Sequence, residues 1–128
     1  MKPNITESRL WRKVRDGWKL PGLHVRLHRI EAGDGEADSG TPDVLVTTEV
    51  FYWWVELKIW PNKMRPSQVA WATLNDELGC QKVLILVQRN AVSYYLMPWE
   101  AYGGDGTVVE WHRAKWTGRN VRDALRRL

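Results

Sequence analysis

The 128-residue chain has one cysteine, Cys80, so no disulfide can form within it. In its strand-like run this lone thiol reads as a small buried apolar residue rather than a reactive one, in a reducing compartment. No apolar run is long enough to cross a bilayer, and the opening Met-Lys-Pro-Asn-Ile-Thr-Glu lacks the hydrophobic stretch of a secretory leader. A cytoplasmic protein is therefore expected. Internal repeats and low-complexity tracts are also missing. Gly103-Gly104-Asp105-Gly106 is followed by no Gly-Lys-Ser/Thr, so it reads as a turn and not a phosphate loop. Residues 31–39 are acidic and glycine-rich but lack the ligand spacing and terminal glutamate of a calcium loop, which leaves a flexible connection. His24 and His28 are four residues apart on a predicted strand, roughly 13 Å, too far to share one ion.

What is present describes an ordinary folded domain. The length suits one domain, residues 1–128, able to bury a core without a covalent staple. A 44% hydrophobic and 27% charged composition is that of a soluble globular protein, and nine tryptophans are its one unusual feature. Most of them fall in apolar strands or helix stripes, where packing accounts for them. The net charge of +4 favours an anionic partner, and nucleic acid is the commonest large one.

Periodicity gives the order of elements. Residues 4 to about 18 read as a helix capped by Asn4 or Thr6, with Leu10, Trp11, Val14 and Trp18 on its apolar stripe. Glu7 lies near that inward stripe, and two readings of it stand side by side: an acid facing the sheet, or the third-position partner of a capping box closed on Asn4. Residues 23–30 alternate as a strand. Pro66 opens a second helix that Gly79 ends, with Ala70, Trp71, Leu74 and Leu78 as its expected buried stripe. Residues 81–88 and 92–97 form a strand pair, 107–116 an edge strand and 120–128 a basic terminal helix.

The chemistry gathers in residues 40–58. Two runs rich in Val, Tyr, Trp and Thr, 44–46 and 50–59, have the composition of strands covered on both faces. If they pair antiparallel and turn near Glu49 and Val50, Asp43 falls opposite Glu56. Alternation then sets Glu56 and Lys58 on one face and Leu57 on the other. Two carboxylates and an ammonium at one sheet end invite a divalent cation with hard oxygen ligands, magnesium or manganese. Such an arrangement suits phosphodiester hydrolysis. Lys63 and Arg65, on the loop before the second helix, are candidate phosphate contacts, and Trp60 is a candidate base-stacking side chain.

Pro42-Asp43 followed by Glu56-Leu57-Lys58 resembles the motif of the PD-(D/E)xK nuclease superfamily. Gly40-Thr41-Pro42-Asp43 resembles the Gly-x-Pro-Asp form of its VRR-NUC and Holliday-junction-resolvase-like branches, in a match spanning roughly residues 5–90. The resemblance implies an α/β fold with a restriction-endonuclease-like αβββαβ core, a mixed β-sheet flanked by helices. It implies Asp43 and Glu56 as Mg2+ ligands (Mn2+ substituting), the Leu57 carbonyl as a further ligand and Glu7 as an acid beside the metal. Lys58 and Gln68 would assist the attacking water. The expected activity is a metal-dependent DNA endonuclease selective for branched or flap DNA. Two rivals stand beside it: a non-catalytic nucleic-acid-binding domain of the same fold and a sequence-specific restriction-type enzyme. Resolvase-like members of that family act as dimers, because two symmetric cuts need two sites; a homodimer is left open here. Small stand-alone members are common in phages.

Overall fold

The computed structural model describes residues 5–18, 24–30, 40–103 and 108–127. Among these, helix α1 (Glu7–Gly17) is followed by β1 (Arg26–Arg29), β2 (Val44–Thr47), β3 (Tyr52–Ile59), helix α2 (Pro66–Glu77), β4 (Leu84–Asn90), β5 (Ser93–Pro98) and β6 (Trp116–Gly118). The six strands form one sheet in the order β1-β2-β3-β4-β5-β6. All neighbours are antiparallel except β3 and β4, which run parallel and are joined through α2. Such a crossover is what a parallel pair requires. The Asn4 cap, the start of the first strand at Leu23, the connection 31–39 and residues 104–107 of the glycine turn lie outside the described residues.

The alternation of β3 divides the molecule into two layers. Val55 and Leu57 face α1 and join Leu10, Val14, Trp18, Leu84, Leu86 and Leu96 in one apolar core. The opposite face of the sheet packs Ile85, Val87 and Met97 with Ala72 of α2 and Trp99. Thr6 caps α1, its hydroxyl accepting the Arg9 amide at 3.2 Å. Glu7 is thus the first helical residue, not the third, and the capping-box reading of it falls away.

Several expected boundaries and faces are corrected. The buried residues of α2 are Gln68, Ala72 and Asn75, whereas Leu74 is 54% exposed and Leu78 70%. Ala70 is exposed as well. Gln68 turns inward to Lys58 and Glu56, Asn75 to the Gln81 carbonyl and Ala72 to the apolar cluster, where leucines were expected. Cys80 is exposed, because α2 gives way at Gly79 (φ +75°) and β4 starts only at Leu84, which leaves the cysteine in the connection. Residues 107–116 are not an edge strand: a 3-10 turn at Trp111–Arg113 interrupts them, and the edge is the shorter β6. The terminal segment Val121–Arg127 is 3-10 rather than α-helical. It buries Val121, Ala124 and Leu125 in the α1 core, with the Trp18 indole N–H donating to the Val121 carbonyl at 2.7 Å.

Candidate active site

Asp43 is delivered by a turn that only glycine can make. Gly40 has φ +76°, and a Cβ there would lie 2.0 Å from the Ser67 carbonyl oxygen and 2.9 Å from the Gln68 nitrogen. The entry to β2 therefore lies directly on the first turn of α2. Pro42 is buried behind it. The register pairs Val44 with Val55, which sets Asp43 across from Glu56. Asp43 is fixed by accepting the Leu57 amide on Oδ2 at 2.9 Å. Its carbonyl accepts the Ile30 amide at 2.7 Å, tying the site to the end of β1.

Glu56 and Lys58 are only 2% and 4% exposed, and charges so buried are costly unless partnered. Gln68 is the partner of both. Its Oε1 accepts Lys58 Nζ at 2.8 Å and its Nε2 donates to Glu56 Oε1 at 3.2 Å. An ammonium can only donate, so the amide must turn its oxygen to Lys58 and its nitrogen to Glu56. The same Oε1 accepts the Arg65 amide at 2.8 Å, anchoring the glutamine at the N-terminus of α2. The Lys63 carbonyl accepts a second Lys58 N–H at 3.2 Å. Lys58 is thus held from two sides, by the loop before α2 and by its first turn.

The electrostatics are those of crowded acids. Burial first, then a hydrogen bond to Asp43 and its charge, hold the Glu56 carboxyl well above the usual carboxylate range; Lys58 opposes the shift and Glu7 adds to it. Glu56 is thereby pushed towards its neutral form. Glu7 is raised in turn, by burial of its carboxyl and then by Asp43, against Lys58, Arg65 and Arg29. The residue as a whole is nonetheless exposed, so its carboxyl lies at the mouth of the site and not inside it. Tyr102 is pushed up to about 12 by burial and by Glu7. Among the described residues no three His, Cys, Asp or Glu side chains form a metal-ligating group by themselves. Asp43 and Glu56 are a pair, and Glu7 reaches them through its field.

Asp43, Glu56, Lys58 and Gln68 are therefore brought into one network, with Leu57 contributing its backbone and Glu7 beside it. Lys63 and Arg65 enter through main-chain atoms while their side chains remain at the exposed rim. Trp60 is 41% exposed and packs edge-on against Trp111, ring centroids 6.2 Å apart, with Arg89 over its ring at 5.9 Å. His24 and His28 are exposed, and His24 pairs with Glu49 at 2.6 Å. Sequence reasoning missed the contact of Gly40 with α2 and the group around Trp111. No periodicity joins Arg89 and Trp111 to Trp60.

A mixed α/β sheet in this order, with α1 on one face and α2 on the other, is the restriction-endonuclease-like fold. Among solved structures the chain is similar to the Holliday junction resolvase Hjc of the archaeal hyperthermophile Archaeoglobus fulgidus. The TM-score is 0.50 at 15% identity, over 74% of this chain and 75% of that one. No family model and no curated protein matches the sequence. At that identity the likeness is one of fold.

Proposed function

We propose that the protein is a divalent-metal-dependent DNA endonuclease that hydrolyses phosphodiester bonds in branched or flap DNA. The observation that carries this reading is the geometry: the β2–β3 register sets Asp43 across from Glu56, Asp43 is fixed on the Leu57 amide, and Gln68 joins Glu56 to the buried Lys58. Two crowded acids repel each other when ionised and are a donor set that a cation stabilises, so the residues fit a magnesium or manganese ion. Asp43, Glu56 and the Leu57 carbonyl would hold it, with Glu7 as the third carboxylate facing the ion. Magnesium is bound through one or two carboxylates plus waters and substrate phosphates, so a complete protein cage is not needed. When bound, the ion supplies charge for the phosphate and a more acidic water.

The chain's own residues do the rest. Lys58 Nζ, held by Gln68 and the Lys63 carbonyl, keeps an N–H directed at the attacking water and at charge developing on the phosphate. Gln68 sets the distance between that ammonium and Glu56. Lys63 and Arg65 at the rim hold the flanking phosphates. Selectivity for branched DNA is supported by the Hjc likeness, whose named activity is junction resolution.

Cleavage of four-way junction, flap, single-stranded and linear duplex DNA, with magnesium, manganese or EDTA, tests the reading. Asp43→Ala and Lys58→Ala are each expected to slow metal-dependent cutting by about 10²–10³-fold or more. Intact DNA in every reaction, still bound by the wild type, would give the binding-domain reading instead.

A further inference from the structure

Beside the catalytic network lies a recess of about 380 Å³ lined by Trp60, Pro61, Lys63, Tyr102, Val109 and Trp111, among others. We propose that it receives a single nucleobase unstacked from the DNA next to the scissile phosphate, a proposal that rests on the nuclease reading above. Place comes first. Lys63 lines the recess with its side chain at the rim, while its carbonyl holds Lys58 Nζ. Asn62, one residue earlier, accepts the Tyr102 hydroxyl at 2.5 Å. One loop therefore forms the wall of the recess and positions the lysine, and a nucleotide bound there has its phosphate beside the site.

Chemistry comes second. The volume falls in the roughly 300–1,000 Å³ range of small-ligand pockets, and the lining is flat aromatic surface with a few polar groups, as a base requires. The aromatic wall is built in advance. Trp111 is fixed between Tyr95, ring centroids 4.6 Å apart, and Arg89, whose guanidinium lies 4.3 Å from its centroid. Arg89 also covers Tyr95 at 5.8 Å. Gly103 closes against Val108, whose carbonyl would lie 2.5 Å from a Cβ there, so the segment carrying Val108 and Val109 is held close. Trp60, 41% exposed, and Val108, 68% exposed, leave large apolar surface at the mouth beside two cations, Arg89 and Lys63, suited to a phosphate. A base paired inside a duplex cannot enter, whereas one at a branch is already partly unstacked and enters at lower cost. The recess thus provides a physical origin for selectivity towards branched DNA.

The test is a cycle between protein and DNA. Flap and junction substrates carrying one abasic site, moved nucleotide by nucleotide around the branch, are assayed for binding in EDTA and for single-turnover cleavage in magnesium. At one position, loss of the base is expected to weaken wild-type binding by about five- to 150-fold, the range of one base–aromatic stack. The same loss should leave Trp60→Ala unaffected, while Trp60→Phe keeps the sensitivity. Equal effects in wild type and Trp60→Ala at every position, or a uniform loss in the variant, overturn the recess; if Asp43-dependent cutting persists, the nuclease reading survives. Coupling at one position without metal-dependent cutting does the reverse. Failure to bind any DNA overturns both.

Discussion

The two faces of β3 differ by one residue step and by everything that follows from it. Val55 and Leu57 look towards α1 into a core without charge, and the terminal 3-10 segment closes it. Glu56 and Lys58 look towards α2 and are just as buried, yet their neighbours are Asp43, Gln68 and two main-chain groups of the connecting loop. One face gains stability from apolar area removed from water; the other spends some of it to hold ionisable groups in fixed places. The parallel β3–β4 pair makes this division possible, because it is covered on both sides. Activity and stability should accordingly be separable at adjacent residues.

The sharpest way to break the comparison is at Leu57. Leu57→Ala opens a cavity in the α1 core and is expected to cost about 2–5 kcal/mol of unfolding free energy, measured by urea denaturation. An effect below about 1 kcal/mol would mean that this face is not the stabilising one. Gln68→Ala acts on the opposite face and is expected to cost less, about 1–3 kcal/mol, because it strands Lys58, Glu56 and the Arg65 amide without one partner each. It should reduce the cleavage rate more than DNA affinity, since it moves Lys58 while leaving the rim cations in place. Equal losses in both would make Gln68 a general structural residue.

The same contrast explains how much could be read in advance. The α1 core was legible because Leu10, Val14 and Trp18 repeat at helical spacing and Val44, Val46, Val55 and Leu57 at strand spacing, and each pattern has one apolar solution. The central pairing was legible too: Asp43 opposite Glu56 follows once β2 and β3 form a hairpin. On the α2 face, hydrophobicity misled. Leu74 and Leu78 promised a buried stripe, but the helix turns Gln68, Ala72 and Asn75 inward, Gln68 onto Glu56 and Asn75 onto the Gln81 carbonyl, a choice made by tertiary hydrogen bonds that no periodicity records. The stretch 107–116 failed for a related reason. Its β-favouring residues are broken at Trp111, which turns onto Tyr95 and Arg89, and a long-range ring contact outweighs local propensity there. Irregular segments and 3-10 turns carry such contacts, and their composition resembles either neighbour.

The smallest effect is the most telling, because its sign differs from every other substitution. A buried acid whose folded pKa lies above its unfolded value of about 4.5 favours the folded state fully below that value, and loses the advantage as pH rises towards the folded one. At neutral pH and above, Glu56 thus opposes folding when no cation is bound. Glu56→Gln keeps the shape and the hydrogen-bonding capacity but removes the titration, so without divalent metal it is expected to raise stability by about 0.5–2 kcal/mol. The gain should grow between about pH 5 and pH 9 and be absent near pH 4. Thermal unfolding across that range, with and without magnesium, reads it directly. Excess magnesium should erase the difference by stabilising the wild type alone, since only there can the ion bind a Glu56 carboxylate. A destabilised Glu56→Gln at every pH would instead mean that the acid is held ionised against Lys58, and the two faces of β3 would then differ less than their burial suggests.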